Sequence, residues 1–243
     1  MPNETIRRIR RWVRQQQRHF DKIDFGNLRR LEPVSRAFGG DRGLAICHYY
    51  IRRFLAAHAA DVRGHVLEIE ASRYTREVGA DRVTRSDVLH VAPGNPEATI
   101  VADLTSAPQL PSDQFDCIIF TQTLQHIYDV RAALRTLHRI LKPGGVLLAT
   151  FPGISQISRY DMDRWGDYWR FTTASIQKLC AECWPDQPVE ITAHGNVLVA
   201  TAYLYGLSSN ELHAEELAFS DPDYQVLLTL RATKPGPAKG AVP

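Results

Sequence analysis

Four acidic side chains fall where short apolar runs end. Glu68 and Glu70 close HVLEIE, Asp87 closes a weaker run over 82–88, and Asp103 sits in TIVADL. If these runs are neighbouring strands, the acids share one sheet edge, and carboxylates at successive strand ends suit a nucleoside. A carboxylate after the second strand can accept both ribose hydroxyls, and one after the third can take an adenine amino group. A single Asp at such a place is an ordinary cap or turn residue; the repetition carries the reading. His126 follows a further run, FDCIIFTQT (115–123), and is the best-placed general base, with Gln122 able to meet a ligand through backbone or amide. In WGDYWRFT (165–172), Tyr168 and Trp169 can form an aromatic wall and Arg170 a clamp for an anion or hydroxyl. Arg42, in Gly39-Gly40-Asp41-Arg42-Gly43, can serve as a lid, and one of Tyr49 and Tyr50 can line the same pocket.

Other chemistries lack their residues. There is no G-x-S-x-G for a Ser-His-Asp hydrolase and no Walker-type phosphate loop. Cys180-x-x-Cys183 has no second Cys pair, and both thiols fall in an amphipathic stretch where Cys behaves as a small apolar residue, so no metal site is expected.

The elements that must position these groups follow from hydrophobic spacing. Ile6, Ile9, Val13 and Phe20 share a stripe with Arg on the other faces, a basic amphipathic helix over 5–19. Leu44, Cys47, Ile51, Phe54, Leu55 and His58 predict a second helix that Gly64 stops. Strands are expected at 65–70, 82–88, 99–104, 115–123, 146–151, 189–194 and 224–233. A helix started by Asp129 carries Val130, Ala133, Leu134, Leu137 and Leu141 and ends at Lys142-Pro143-Gly144-Gly145; another spans 173–183. Uniformly apolar strands imply a sheet covered on both faces, hence a mostly parallel, seven-stranded α/β fold of Rossmann-like type with an N-terminal helical extension. The expected organisation is an arm over 1–38, one α/β domain over 39–233, and a disordered tail over 234–243.

The stretches VLEIE (66–70), Asp87, VADL (101–104), FDCIIFTQTLQHI (115–127) and LKPGGVLLATFPG (141–153) together resemble a class I S-adenosylmethionine-dependent methyltransferase. More narrowly, the chain is similar to the methyltransferase type 11 group, including versions associated with bacterial glycosyltransferases. The resemblance implies S-adenosylmethionine as cofactor. It would be held by Glu68, Glu70, Ala71 and Ser72 after the first strand, Asp87 and Val88 after the second, Ala102, Asp103 and Leu104 after the third, and Thr121 and Gln122 after the fourth. His126 and Arg170 become the catalytic candidates, and Tyr168, Trp169 and Arg170 the acceptor contacts. The expected reaction is methyl transfer to a hydroxyl of a small molecule or sugar.

One departure stands out. Where the family reads E-x-G-x-G-x-G, this chain reads Glu68-Ile69-Glu70-Ala71-Ser72-Arg73-Tyr74. Glycine serves there because backbone approaches the ligand closely and can require a positive φ. Glu70 instead adds a carboxylate where the cofactor's own carboxylate is expected, so a cation such as Arg73 or Arg76 is needed. The segment 71–81 is short and lacks an apolar stripe, so the usual crossover helix should shrink to a turn. These departures motivate a second reading, a non-catalytic methyltransferase-like partner or scaffold whose pocket Glu70 or Tyr74 closes. A nicotinamide-dependent oxidoreductase is disfavoured, because G-x-G-x-x-G is absent.

Across 243 residues, 29 Lys and Arg against 27 Asp and Glu give +2, but the first 36 residues hold ten bases and four acids. That stretch is therefore +6 and the remainder −4. A protein partner for the basic helix is consistent with this split; nucleic acid is not expected, since the domain is net acidic. No apolar run reaches the length of a transmembrane helix, and MPNETIRRIRRW lacks a signal peptide's apolar core, so a cytoplasmic location is expected.

Overall fold

The computed structural model describes residues 24–185 and 187–236. The helix expected over 5–19 and most of the tail lie outside these residues. The chain separates into two compact units, Met1–Pro33 and Val34–Pro243. Within the second unit, Val34 N–H donates to the Tyr205 carbonyl at 2.7 Å. In the first unit, Gly26–Leu28 forms a single 3₁₀ turn, with Gly26 N–H donating to Asp24 at 2.8 Å.

The second unit is built on one seven-stranded sheet. Its strands are β1 (Gly64–Ile69), β2 (Val83–His90), β3 (Ile100–Val101), β4 (Phe115–Thr121), β5 (Leu141–Pro152), β6 (Val189–His194) and β7 (Leu227–Thr233). The order is β3-β2-β1-β4-β5-β7-β6. β1 to β5 pair in parallel, whereas β7 runs antiparallel between β5 and β6. Successive side chains of a strand point to opposite faces, and both faces here are apolar. Phe115, Ile118 and Phe120 of β4 pack into one core layer, while Cys117 and Ile119 pack into the other.

Helices α2 (Val130–Ile140) and α4 (Thr173–Cys183) cover the first layer. Helices α1 (Ile46–Ala57), α5 (Val197–Leu204) and α6 (Ala214–Ala218) cover the second. A four-residue helix α3 (Arg159–Met162) lies in the segment after β5. Asp129 caps α2 by accepting from Ala132 N–H at 3.0 Å, and Val130, Ala133, Leu134, Leu137 and Ile140 form its buried stripe. Thr172 and Ser175 form a capping box at the start of α4, whose Cys180 and Cys183 point into the core. Among the described residues, no helix is long and apolar enough to cross a membrane.

Local interactions move several expected boundaries. Lys142 to Gly145 do not follow the helix as a loop. Gly144 N–H donates to the Lys234 carbonyl, and Lys234 N–H to Gly145, which draws this turn-like sequence into β5. The Lys234 ammonium also donates to Asp113 at 2.7 Å. β3 keeps only two residues, because Asp103 accepts from Thr105 N–H at 2.8 Å and turns the chain away. Between β1 and β2 the crossover helix is reduced to one π-helical turn (Thr75–Gly79) and a 3₁₀ turn (Ala80–Arg82).

Candidate functional site

Strand order reverses between β1 and β4, and a cleft of about 1400 Å³ opens there along the carboxyl ends of β1 to β5. This is where open parallel sheets bind ligands. One drug-sized molecule fills roughly 300–1000 Å³, so the cleft has room for two.

β1 delivers Glu68 and Glu70 to the cleft floor with different roles. Glu68 is 3% exposed. Its carboxylate accepts from Tyr74 N–H at 2.9 Å and from Thr75 N–H and Oγ1 at 2.7 Å each. It thereby holds the shortened crossover in place. Burial raises its pKa, and the bonds from Thr75 and Tyr74 partly oppose that. Glu70 keeps the left-handed backbone expected of glycine, at φ 71°. Its N–H donates to the Leu89 carbonyl at 3.0 Å and its carbonyl accepts from Asn95 Nδ2 at 2.6 Å. Ala71 lines the cleft beside it, whereas Ser72 turns away to Glu97 at 3.3 Å.

Asp87 and Val88 do not reach the cleft. β2 runs to His90, and its register sets Asp87 beside Leu67, below the sheet edge. There Asp87 is 5% exposed, takes a 2.6 Å hydrogen bond from His65 Nε2 and another from Thr99 Oγ1 at 2.8 Å, and pairs with Arg85 at 3.1 Å. Burial alone would raise its pKa, but His65, Thr99 and Arg85 outweigh it and leave the carboxyl below its ordinary value. The edge position belongs to His90, with Leu89 and Val91 beside it. Continuing the strand three residues past Asp87, through the apolar Val88-Leu89, reaches His90.

Ala102, Asp103 and Leu104 do line the cleft, the two apolar residues buried and Asp103 exposed. Asp103 Oδ1 accepts from Thr105 N–H and Oγ1, both at 2.8 Å, which leaves Oδ2 free to accept from a ligand. Thr121 ends β4 and Gln122 follows it at φ 48°, both lining the cleft.

The chain then makes a 3₁₀ turn, Leu124–His126, that brings His126 into the cleft. His126 Nδ1–H donates to the Gly166 carbonyl at 2.8 Å, which leaves Nε2 as acceptor. Gln125 Nε2 donates to His126 Nε2 at 3.1 Å and to the Gln122 carbonyl at 2.8 Å. Asp161 Oδ2 stands 3.8 Å from the same Nε2. A proton accepted there faces a carboxylate.

The segment after β5 supplies the opposite wall. Tyr160, Trp165 and Tyr168 line it, and Tyr128 joins them from beyond β4. Trp165 packs edge-on against His90 at 5.5 Å, and Tyr128 against Tyr168 at 5.4 Å. Gly166, at φ 92°, has the Tyr168 ring where a Cβ would stand, so only glycine lets that ring fold over. Trp169 lies outside the cleft; its indole N–H donates to the Ile127 carbonyl at 3.1 Å and its ring supports Tyr128. Arg170 touches the cleft, but its guanidinium is not a free clamp. It grips Asp167 at 2.6 and 2.9 Å and donates to the Gln156 and Trp169 carbonyls. Burial raises the Asp167 pKa, and Arg170 and the Ser158 N–H more than reverse this. Arg42 is likewise committed, in a two-pronged pair with Glu211 at 2.5 and 3.1 Å, and is no lid. Tyr50 is buried with its hydroxyl on the Leu217 carbonyl, and Tyr49 packs on it, so His48 is the α1 residue that faces the cleft beside Cys47 and Ile51.

Comparison with known proteins agrees with this architecture. Residues 51–149 match the family model described as a methyltransferase domain. An 86-residue stretch is 35% identical to a ubiquinone/menaquinone biosynthesis C-methyltransferase (UbiE) of Vibrio cholerae, covering 35% of this chain and 31% of that protein. The chain thus spans about a third of the length of that curated relative. A 2-phytyl-1,4-naphtoquinone methyltransferase of Synechococcus elongatus is 27% identical over 76% of this chain and 81% of its own. Among solved structures, a putative sarcosine dimethylglycine methyltransferase of Galdieria sulphuraria superposes with TM-score 0.53 at 15% identity, covering 77% of this chain and 86% of its own. An S-adenosylmethionine dependent methyltransferase of Mesorhizobium loti does so with TM-score 0.51 at 20% identity, covering 79% and 99%. The seven-stranded, Rossmann-like α/β architecture is shared with these structures.

Proposed function

We propose that this protein is an S-adenosylmethionine-dependent methyltransferase that acts on a small, hydroxyl-bearing ring compound. The carrying observation is one double-sized cleft with an acceptor carboxylate at one end, Asp103, and a base under aromatic side chains at the other, His126. The residues present suit the cofactor. Buried Ala102 and Leu104 offer an apolar slot for a flat base, Asp103 Oδ2 is open to an exocyclic amine, and backbone at Glu70 keeps the conformation a close approach requires.

When bound, S-adenosylmethionine supplies a methyl group already activated on a sulfonium, so the protein's task is to position and to move one proton. His126 Nε2 takes that proton from the acceptor hydroxyl. The Gly166 carbonyl fixes the ring's tautomer, and Asp161 stabilises the imidazolium that forms. The incoming hydroxyl replaces Gln125 at Nε2, and that amide stays satisfied by the Gln122 carbonyl. Tyr128, Tyr160, Trp165 and Tyr168 match the flat faces of a ring.

One relative named as a C-methyltransferase of ubiquinone/menaquinone biosynthesis and another named as a 2-phytyl-1,4-naphtoquinone methyltransferase support an aromatic acceptor over a sugar. Deprotonating a phenolic hydroxyl raises electron density on both oxygen and ring carbon, so one base serves either outcome. The resemblance to glycosyltransferase-associated enzymes keeps sugars as the competing acceptor class. The scaffold reading expects a closed pocket, and neither Glu70 nor Tyr74 closes this one.

Calorimetric titration with S-adenosylhomocysteine tests the cofactor; absence of binding at millimolar ligand with folded protein overturns the reading. Incubation with phenolic, quinol and sugar acceptors, followed by mass and NMR analysis of product, tests the acceptor. Methylation confined to sugars would overturn the aromatic assignment.

A further inference from the structure

The proposed reaction uses the backbone of Glu70, at the cleft floor, but leaves its side chain without a role. Its backbone is clamped on both sides, by Leu89 and Asn95, in a left-handed conformation. For a residue other than glycine that conformation is strained. The carboxylate is exposed to the cleft, and among the described residues it has no cationic partner. Arg73 donates to Glu77 at 3.1 Å and lies over the Tyr74 ring. Arg76 donates to Ser72 Oγ at 2.5 Å and pairs with Glu97 at 3.3 Å. Arg164 is stacked on Tyr160 and donates to the Tyr160 carbonyl. His48, on the same wall, is held toward its neutral form by burial and by the charges of Arg73 and Arg52. An uncompensated carboxylate on a fixed backbone thus sits at the strand-order reversal, between the Asp103 end of the cleft and the His126 end. A ligand that reaches from one end to the other passes it.

We propose that Glu70 is a specificity-determining residue whose carboxylate pairs with an ammonium group on the bound nucleoside cofactor. The cation missing from the protein then arrives with the ligand. This inference rests on the cofactor reading above and adds a charge preference to it. The amino end of the nucleoside is recognised by a charged side chain, and a carboxylate on the same end meets a like charge. The cleft therefore favours a nucleoside thioether bearing an amine without a carboxylate over one bearing both.

Isothermal titration of the full chain and its E70Q and E70G variants with three nucleosides tests this. The probes are 5′-methylthioadenosine, which has neither charged group, S-adenosylhomocysteine, which has both, and its decarboxylated amine. The unmodified protein is expected to bind the amine more tightly than S-adenosylhomocysteine. E70Q should weaken the amine about tenfold, as loss of one charge-assisted hydrogen bond implies, and leave methylthioadenosine within about twofold. E70G removes the carboxylate while relieving the backbone, so it folds at least as well and must show the same loss. If methylthioadenosine binds but neither variant changes its ratio to the amine, the role of Glu70 is overturned and the cofactor reading stands. If none of the three binds the folded protein, both are overturned.

Discussion

A carboxylate is worth what its neighbours make of it, and the acids of this chain illustrate that from one sheet. Glu68 and Asp87 are consumed by internal hydrogen bonds, whereas Glu70 and Asp103 keep oxygens for a ligand. Composition and spacing do not separate the two kinds, because the separation depends on which side of a strand each residue takes and where that strand stops. Glu70 carries a stability consequence of its own. Glu70→Gly is expected to raise the unfolding free energy by about 1 kcal/mol, since glycine adopts φ 71° without strain; Glu70→Gln is expected to leave it unchanged, and urea denaturation compares the two. His126→Asn should lower kcat by about 10²–10⁴-fold, the usual share of a general base, with affinity for S-adenosylhomocysteine unaltered. An equal loss of affinity would mark His126 as a packing residue. Arg170→Ala leaves the buried Asp167 carboxylate unpaired and should destabilise by about 3 kcal/mol. Arg170→Lys should restore little of this, as an ammonium cannot reproduce the two-pronged contact.

At the scale of elements, what was legible is what periodicity encodes. The α4 helix and β6 occupy their expected spans because a capping Thr172 and an alternating strand leave no competing arrangement. Helix α5 was not legible: Val197–Leu204 is apolar on every side, so it has no helical stripe to read, and the structure leaves Val197, Leu198 and Leu204 exposed. β2 extends past the expected 82–88 to His90, and this length, which no local pattern at Leu89-His90 announces, sets Asp87 below the sheet edge. Long-range pairing accounts for the remainder. Nothing local tells that Lys142 to Gly145 will meet Lys234, or that Arg42 will meet Glu211. The latter pair ties the loop before α1 to the 3₁₀ turn Ser209–Glu211. The Arg42 hydrogen bonds, then Ser208 N–H, hold the Glu211 pKa down to about 2. A depressed carboxyl contributes stability above its unfolded value of about 4.3. That contribution fades as pH falls from there toward about 2. Glu211→Gln should therefore cost about 1 kcal/mol at pH 7, a figure kept small by partial exposure, and the difference from the unmodified protein should shrink as pH falls through about 4 and vanish only below about pH 2 in pH-resolved denaturation.

For the molecule as a whole, ligand binding and fold stability are linked, because the cleft is assembled from the ends of five strands that exist together only in the folded state. S-adenosylhomocysteine at one hundred times its dissociation constant should add about 2.7 kcal/mol to the unfolding free energy; an unmoved melting temperature under saturating ligand would contradict binding at this cleft. The placement of β7 has a consequence in time. This strand, synthesised after β6, lies between β5 and β6 rather than at the sheet's margin. As the chain leaves the ribosome, β1 to β5 can pair well before β7 exists. Between Pro152 and Thr233 lie roughly 80 residues, about 4–16 s of synthesis at ~5–20 residues per second. Throughout that interval β5 presents an open, apolar hydrogen-bonding edge of the kind that recruits other strands. Every newborn copy thus passes through a window of stickiness that closes only when β7 slides in. Nascent chains halted before Leu227 should be the ones that aggregate or occupy chaperones.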